Sequence, residues 1–469
     1  MNENILHTGI KKIINAMITQ IFILICSLVT GFILPKYMGT EMYGYWQIYY
    51  FYLSYLNFIT LGFNDGISLR YGGVEENELP LKKIRSAIQI LMQFILILMF
   101  IFIILLKIVN INIEMSYIYM VLILSIPCVC IMNIIVTIYL SINKQNIYNK
   151  INLGNKLAST LIYCILLLIG MKNFRIIIMS DYIVRIFMTI ICIVIGRKFI
   201  FGSKDNYKKG LKEVQRNCSI GIFITFGALA SSFIPMGGRI VIEHNESIQV
   251  YGIFSFAMSL LGIIVTFTNT AGMIFFPILK KISKEKLSAY YPKIKEAYNC
   301  ILYISLYSYI PAVFIINHFL PDYKSVLSYA FILFAMCIPL GKIQTLVTTY
   351  YKAFRMEQQY FFANLFGIIL MITGTFFVYN IFETVQSVAV ITTILFTIWS
   401  YGLEIYLLKK LNYIINIHTF EELFVMLVFT FFASTQNILI FLTGYSFVIF
   451  VMFIIKRKKL VCICKEITN

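Results

Sequence analysis

Long runs of apolar residues alternate with short polar segments along the whole chain. A hydrocarbon core of about 30 Å needs roughly 20 apolar residues in a helix, so the pattern predicts about fourteen transmembrane helices. The predicted spans are 13–34, 43–63, 88–109, 117–141, 157–172, 176–196, 218–242, 251–276, 298–317, 325–350, 360–380, 386–408, 422–441 and 444–456. The sequence therefore predicts an all-α polytopic membrane protein.

Composition excludes a soluble globular chain. Of 469 residues, 60% are hydrophobic and 13% are charged, whereas ordinary domains carry roughly a quarter charged residues. The ten cysteines show no framework spacing and the four histidines are scattered, so neither a disulfide scaffold nor a metal site is indicated. No glycine-rich phosphate loop is present, and we expect no cofactor and no direct use of ATP.

The basic residues fix a predicted orientation. The net charge of +18 is spread over alternate short loops, which is typical of the positive-inside rule and not of a nucleic-acid-binding protein. With a cytoplasmic N-terminus, the inner side receives Lys11, Lys12, Lys82, Lys83, Arg85, Lys144, Lys150, Lys156, Lys352, Arg355, Lys409, Lys410 and the basic residues of 204–216, 280–295 and 456–459. Both termini are therefore predicted to be cytoplasmic.

Two short sequence repeats indicate that the chain has two related halves. Tyr-Gly-Tyr-Trp at 43–46 recurs as Tyr-Gly-Ile-Phe at 251–254, and Val-Thr-Ile-Tyr at 136–139 recurs as Val-Thr-Thr-Tyr at 347–350. Nearly equal offsets suggest a parallel repeat, related by an axis along the membrane normal. The predicted organisation is an N-terminal six-helix lobe (1–200), a basic connector attracted to anionic lipid (201–217), a C-terminal six-helix lobe (218–412) and a last helix pair with a basic tail (413–469).

Charges inside the predicted spans are candidates for function, because each costs about 2.5–3.5 kcal/mol at the bilayer centre. Arg239 and Lys342 are predicted to bind a pyrophosphate, since a guanidinium binds phosphate oxygens bidentately and an ammonium binds them as a point charge. Two alternatives stay open. Arg239 could extend to the outer membrane surface, and Lys342 could pair with an acid on a neighbouring helix.

A second group of candidates consists of acids and their neighbours. Asp65, in the Gly-bounded break at 62–66, could bind a coupling cation or proton, meet Arg70, or simply form a turn; Arg70 is also a candidate for substrate binding. Asp181 and Arg185 are spaced i, i+4, so they share a helix face and should neutralise each other, although Asp181 remains a coupling candidate. Glu404 is a further coupling candidate, with pairing near the membrane surface as its alternative.

Tyrosines cluster on the second predicted span. Tyr49 and Tyr52 are predicted to contact sugar rings of a substrate, with Tyr50 and Tyr55 beside them. Aromatic residues elsewhere in the chain are typical of interface belts and helix packing.

These features together resemble a known family. The Gly-Tyr-aromatic helix start at 44–46, the Leu-Gly-Phe-x-x-Gly break at 61–66 and the arginine at position 70 resemble the Wzx-type polysaccharide-lipid flippases of the multidrug/oligosaccharidyl-lipid/polysaccharide exporter superfamily. In the second half, Arg239 and the segment 250–257 are similar to the family's junction between the seventh and eighth helices. Gly238 departs from the family, which often has an aspartate before this arginine.

The resemblance implies a two-lobed, V-shaped transporter, not an enzyme. It would move undecaprenyl-pyrophosphate-linked oligosaccharide across the bacterial inner membrane by alternating access, for lipopolysaccharide O-antigen, capsule or a similar surface polysaccharide. Expected partners are this substrate, membrane lipids, a coupling proton or sodium ion, and the glycosyltransferases and polymerase of the same pathway. The alternatives are a multidrug or cation antiporter, which needs an acidic cavity, and a glycan polymerase, which needs a sizeable polar loop.

Overall fold

A computed structural model describes the backbone of residues 3–281, 284–413 and 420–468, and the side chains of residues 15, 17–266, 288, 290–413 and 420–457. The described part of the chain consists of helices and short turns, without a β-strand. The predicted all-α polytopic fold is therefore confirmed. Of the basic residues assigned above to the inner side, Lys11 and Lys12, those of 280–287 and those of 458–459 have side chains outside the described residues.

The chain divides into two compact units, residues 1–229 and 230–469, with the boundary inside one helix. The helices of the first unit, up to and including the one that contains the boundary, are α1 (Glu3–Leu53), α2 (Phe63–Tyr71), α3 (Leu81–Ile108), α4 (Ile113–Ser141), α5 (Gln145–Leu168), α6 (Phe174–Ile195), α7 (Arg197–Ile200) and α8 (Tyr207–Phe233). Short 3₁₀ turns at Leu56–Thr60 and Glu76–Glu78 complete this unit.

The second unit continues with more and shorter helices. They are α9 (Gly237–Asn245), α10 (Ile248–Lys281), α11 (Lys284–Ser305), α12 (Tyr309–Phe319), α13 (Ala330–Ala335), α14 (Cys337–Lys342), α15 (Thr348–Ala353), α16 (Glu357–Phe382), α17 (Val385–Lys410), α18 (Glu421–Ser434) and α19 (Ile438–Thr468). A π-helical turn, Ile343–Val347, joins α14 to α15.

Twelve segments of the described residues are long and apolar enough to cross a membrane. The first, Met17–Thr60, is 44 residues long and overlaps both of the first two predicted spans. Its helix breaks at Gly39, whose φ of 75° lies in the left-handed region that glycine tolerates. The thirteenth predicted span corresponds to α18, which has 14 residues and is not among the twelve.

Most of the predicted connector, residues 207–217, is helical. Its residues from Tyr207 onward form the first turns of α8, which runs on without interruption to Phe233. Glycines let α8 approach α2 closely: a Cβ at Gly66 would lie 2.1 Å from the carbonyl oxygen of Asn217, and one at Gly221 would lie 2.0 Å from that of Gly62. Since real Cβ atoms do not come this close to a backbone oxygen, glycine is required at this crossing.

Candidate functional site

The second unit contains a buried group of four charged side chains, which we call the Lys342 cluster: Lys295, Lys342, Glu404 and Glu422. Lys342 ends α14 and is 0% exposed. Its Nζ lies 2.7 Å from Oε2 of Glu404 on α17 and also donates to Oε2 of Glu422 on α18. The lysine therefore ties together three helices that are far apart in sequence.

Lys295 on α11 completes the Lys342 cluster. Its Nζ lies 2.6 Å from Oε1 of Glu404 and 3.0 Å from Oε1 of Glu422. Each carboxylate thus faces both ammonium groups, and the four charges sum to zero. The same carboxylates also accept hydrogen bonds from the Tyr291 hydroxyl (3.0 Å), the Asn299 amide (3.1 Å) and the Tyr401 hydroxyl (3.2 Å).

This saturation explains how charged groups persist inside the protein. A buried ion pair is tolerated when its geometry is good and further hydrogen bonds satisfy the remaining donors and acceptors. The Lys342 ammonium also lies 4.2 Å from the centre of the Tyr401 ring, which adds a cation–π contact. Removal of a single member would leave an uncompensated charge.

A π-helical turn directly follows Lys342. A wider turn releases backbone carbonyls from the ordinary i to i+4 pattern, and such turns are frequent at functional sites. Here the Tyr298 hydroxyl lies 3.3 Å from the carbonyl oxygen of Gly341, and the Thr348 hydroxyl donates over 2.7 Å to that of Ile343. The irregular turn is thus held by side chains.

The first unit contains a second buried group, the Asp181 cluster: Tyr49, Ser159, Tyr163, Asp181 and Arg185. Asp181 on α6 is 2% exposed. It accepts hydrogen bonds from the Tyr49 hydroxyl (2.8 Å), the Ser159 hydroxyl (3.1 Å), the Tyr163 hydroxyl (2.6 Å) and Nη2 of Arg185 (2.7 Å). The ion pair expected from the i, i+4 spacing is confirmed. Helices α1 and α5 supply the three hydroxyls.

Arg70 and Asp65 on α2 both contact α8, and each has its own partner there. Arg70 donates from Nη1 to Oε1 of Glu213 at 2.5 Å and to the Asn217 side chain at 2.7 Å. Tyr71 donates to the same carboxylate over 2.7 Å. Burial raises the pKa of the Tyr71 phenol, and the hydrogen bond to the Glu213 carboxylate adds to the rise, so the hydroxyl remains a donor.

The carboxylate of Asp65 accepts a hydrogen bond from the Thr225 hydroxyl, and the contact with Arg70, one of the alternatives left open for Asp65, is not formed. Arg239, on α9, is 5% exposed and donates from Nη2 to the Ser255 carbonyl oxygen at 3.1 Å. The ring of Tyr52 packs edge-on against Phe51. The functional roles of these residues stay predictions.

The structure brings together candidates that the sequence treated separately. Tyr49, predicted to contact sugar, bonds to the coupling candidate Asp181. Lys342, predicted to bind phosphate, pairs with the coupling candidate Glu404. This pairing is the alternative left open above, in which Lys342 has an acidic partner on a neighbouring helix. Sequence reasoning did not identify Glu422 or Lys295. The only sequence feature that marks either residue is a charge near the start of an apolar run.

Glu213 was missed as well, because it lies in a segment dominated by lysine and arginine.

In the part of the chain that the structure describes, no group of three or more histidine, cysteine, aspartate or glutamate side chains could hold a metal ion. The acids of both clusters are instead balanced by lysine and arginine.

The helices and buried ion networks define a multi-pass membrane protein whose fold is shared with solved flippases and transporters. A structure described as lipid II flippase MurJ in an inward closed conformation is similar over 96% of this chain and 99% of that one, with 16% identity and a TM-score of 0.57. A MATE structure in complex with MaD5 is similar over 86% of this chain and 96% of that one, with 11% identity and a TM-score of 0.50.

The sequence itself gives the family. The sequence model of the family described as "Polysaccharide biosynthesis protein" matches residues 10–283, and the chain belongs to that family. A comparison with curated proteins finds no match.

Proposed function

We propose that this protein is a flippase that moves a lipid-linked oligosaccharide from one leaflet of a membrane to the other. The observation that carries the proposal is membership of the polysaccharide biosynthesis family, and the fold shared with a lipid II flippase supports it. In its finer form, the substrate is a repeat unit linked to undecaprenyl pyrophosphate. The membrane is the bacterial inner membrane, with both chain termini in the cytoplasm.

The physical task suits a polytopic protein with internal polar groups. A sugar hydroxyl transferred into hydrocarbon without partners costs about 4–8 kcal/mol, so an oligosaccharide does not cross alone. A protein can offer polar contacts to the headgroup while the prenyl tail stays in the lipid. An inside-negative potential favours outward movement by about 2.3 kcal/mol per charge per 100 mV, or more than about 4 kcal/mol for two pyrophosphate charges. Coupling to a proton or sodium ion through Asp65 or Asp181 is an addition to this drive.

The contacts of the candidates refine their proposed roles. Because Glu404 and Glu422 already balance Lys342, a pyrophosphate bound there would have to displace two ion pairs. We therefore assign Lys342 to holding the second unit together, with Glu404 as its partner, and keep Arg239 as a phosphate-binding candidate. Arg70 holds α2 against α8 through Glu213, and Tyr52 keeps its proposed sugar contact.

Deletion of the gene in the organism that encodes it tests the proposal. The flippase hypothesis predicts that completed lipid-linked repeat units accumulate on the cytoplasmic leaflet while surface glycan falls, and that the gene in trans reverses both changes. Unchanged surface glycan with increased sensitivity to cationic drugs would contradict it and favour the antiporter. Accumulation of completed units on the outer leaflet would instead indicate a polymerase.

A further inference from the structure

Lys156 is a half-buried charge packed among the helices of the first unit. It lies in α5 (Gln145–Leu168), although the sequence placed it in a cytoplasmic loop. Its side chain makes no ion pair with any acidic residue in the described part of the chain, whereas Asp181 and Lys342 are both compensated by opposite charges. Its charge is therefore not balanced by an acid among the described residues.

Lys156 lies near the middle of α5. It precedes the last residue of α5, Leu168, by twelve residues and follows the first, Gln145, by eleven. At 1.5 Å per residue these distances are about 18 Å and about 17 Å. A lysine side chain is shorter than either distance, so the ammonium does not reach either end of α5 by extending along the helix.

Tyr50 on α1 is the aromatic neighbour of Lys156. Its helix restarts after the break at Gly39, so Tyr50 lies about 15 Å along that helix by the same rise per residue. The Lys156 Nζ is 5.8 Å from the centre of the Tyr50 ring, which is within cation–π range. Tyr50 is 42% exposed and Lys156 is half-buried, so both groups are accessible.

An aromatic column continues from Tyr50 along α1. The Trp46 ring stacks on Tyr50 with centroids 5.1 Å apart and an interplanar angle of 14°, and Tyr43 stacks on Trp46 at 5.6 Å. Trp46 is 5% exposed, and its indole Nε1 has no hydrogen-bond partner. A buried indole N–H normally finds an acceptor. The column therefore combines flat rings, an unused donor and a cation.

We propose that Lys156 and Tyr50 bind the phosphate end of a lipid-linked saccharide. This inference rests on the proposed function and names the part of the substrate that the first unit recognises. An ammonium supplies charge-assisted hydrogen bonds to phosphate oxygens. The Tyr50 ring, which is 42% exposed, offers an accessible aromatic surface beside this ammonium.

Binding to the full-length protein in phosphatidylcholine nanodiscs tests the assignment, with geranylgeranyl diphosphate as the probe. Tryptophan fluorescence reports occupancy, since the chain has only two tryptophans and one of them is Trp46; Trp46→Phe identifies the signal. Lys156→Gln should weaken binding about tenfold or more, the effect of one lost hydrogen bond to a charged group. Lys156→Arg should retain most of the affinity.

Lys150→Gln is the matched control, because Lys150 lies on the same helix, is exposed and loses the same charge. Unchanged binding in Lys156→Gln, with an unfolding temperature equal to wild type, would overturn the site and leave the flippase proposal standing. If nanodiscs containing phosphatidylglycerol abolished the probe response, the site would take bulk lipid headgroups, and the substrate assignment would be overturned. Wild-type binding without oligosaccharide translocation would support the site and contradict the proposed function.

Discussion

Replacement of Lys342 by methionine tests the charge balance of the Lys342 cluster. The change removes one ammonium at a position that is 0% exposed, and Glu404 and Glu422 then share Lys295 alone. One buried carboxylate charge is left uncompensated. Breaking a buried pair by removing one partner costs about 3–5 kcal/mol. Equilibrium unfolding of the purified protein in mixed detergent micelles, with SDS as denaturant, should show a loss of that size.

A second substitution should restore part of the lost stability. In Lys342→Met combined with Glu422→Gln, one lysine faces one glutamate, and the cluster is again neutral. The double variant should therefore be more stable than the sum of the two single changes predicts, by about 0.5–3 kcal/mol, as for residues in one network. Lys409→Met is the control, since Lys409 is exposed at the end of α17, and its effect should stay within about 0.5 kcal/mol. If Lys342→Met were as stable as wild type, the electrostatic reasoning would be refuted.

Three further outcomes are expected. Gly66→Ala should destabilise the protein by about 1–3 kcal/mol or prevent folding, because its Cβ would lie 2.1 Å from the Asn217 carbonyl oxygen; Gly402→Ala, with open space around its Cβ, should remain near wild type in the same unfolding assay. Tyr49→Phe should cost about 1–3 kcal/mol, since it removes one donor from buried Asp181, and a wild-type unfolding midpoint would contradict that role. Translocation in vesicles should accelerate under an inside-negative potential, and a rate independent of potential would exclude movement of net charge.

The helices were largely predictable from the sequence because the membrane requires long apolar runs. Periodicity within one helix also predicted the Asp181–Arg185 pair, whose members are one turn apart. An acidic partner for Lys342 on a neighbouring helix was an open alternative, but its identity could not be predicted, since Lys295, Glu404 and Glu422 lie on helices far apart in sequence. Local patterns carry no information on which distant helices meet.

The main errors in the predicted helix boundaries lie in segments of polar composition. Residues 145–156 are rich in asparagine and lysine and resemble a loop, yet they form the first half of α5. Residues 207–217 are strongly basic and resemble a surface connector, yet Glu213 and Asn217 in this segment are buried against α2. Polar residues in contact with other helices can extend a span beyond its apolar run, and sequence alone does not distinguish them from a loop.

The central claim is that this protein alone moves a lipid-linked oligosaccharide across a bilayer. The most direct measurement reconstitutes the purified chain in sealed vesicles that contain a fluorescent polyprenyl-pyrophosphate oligosaccharide. A membrane-impermeant glycosidase then reports the fraction of headgroups exposed outside. We expect the protected fraction to become accessible only in vesicles with protein, and faster when the potential drives the anion outward. If the headgroups stayed protected in vesicles that contain folded, correctly inserted protein, the flippase proposal would be contradicted.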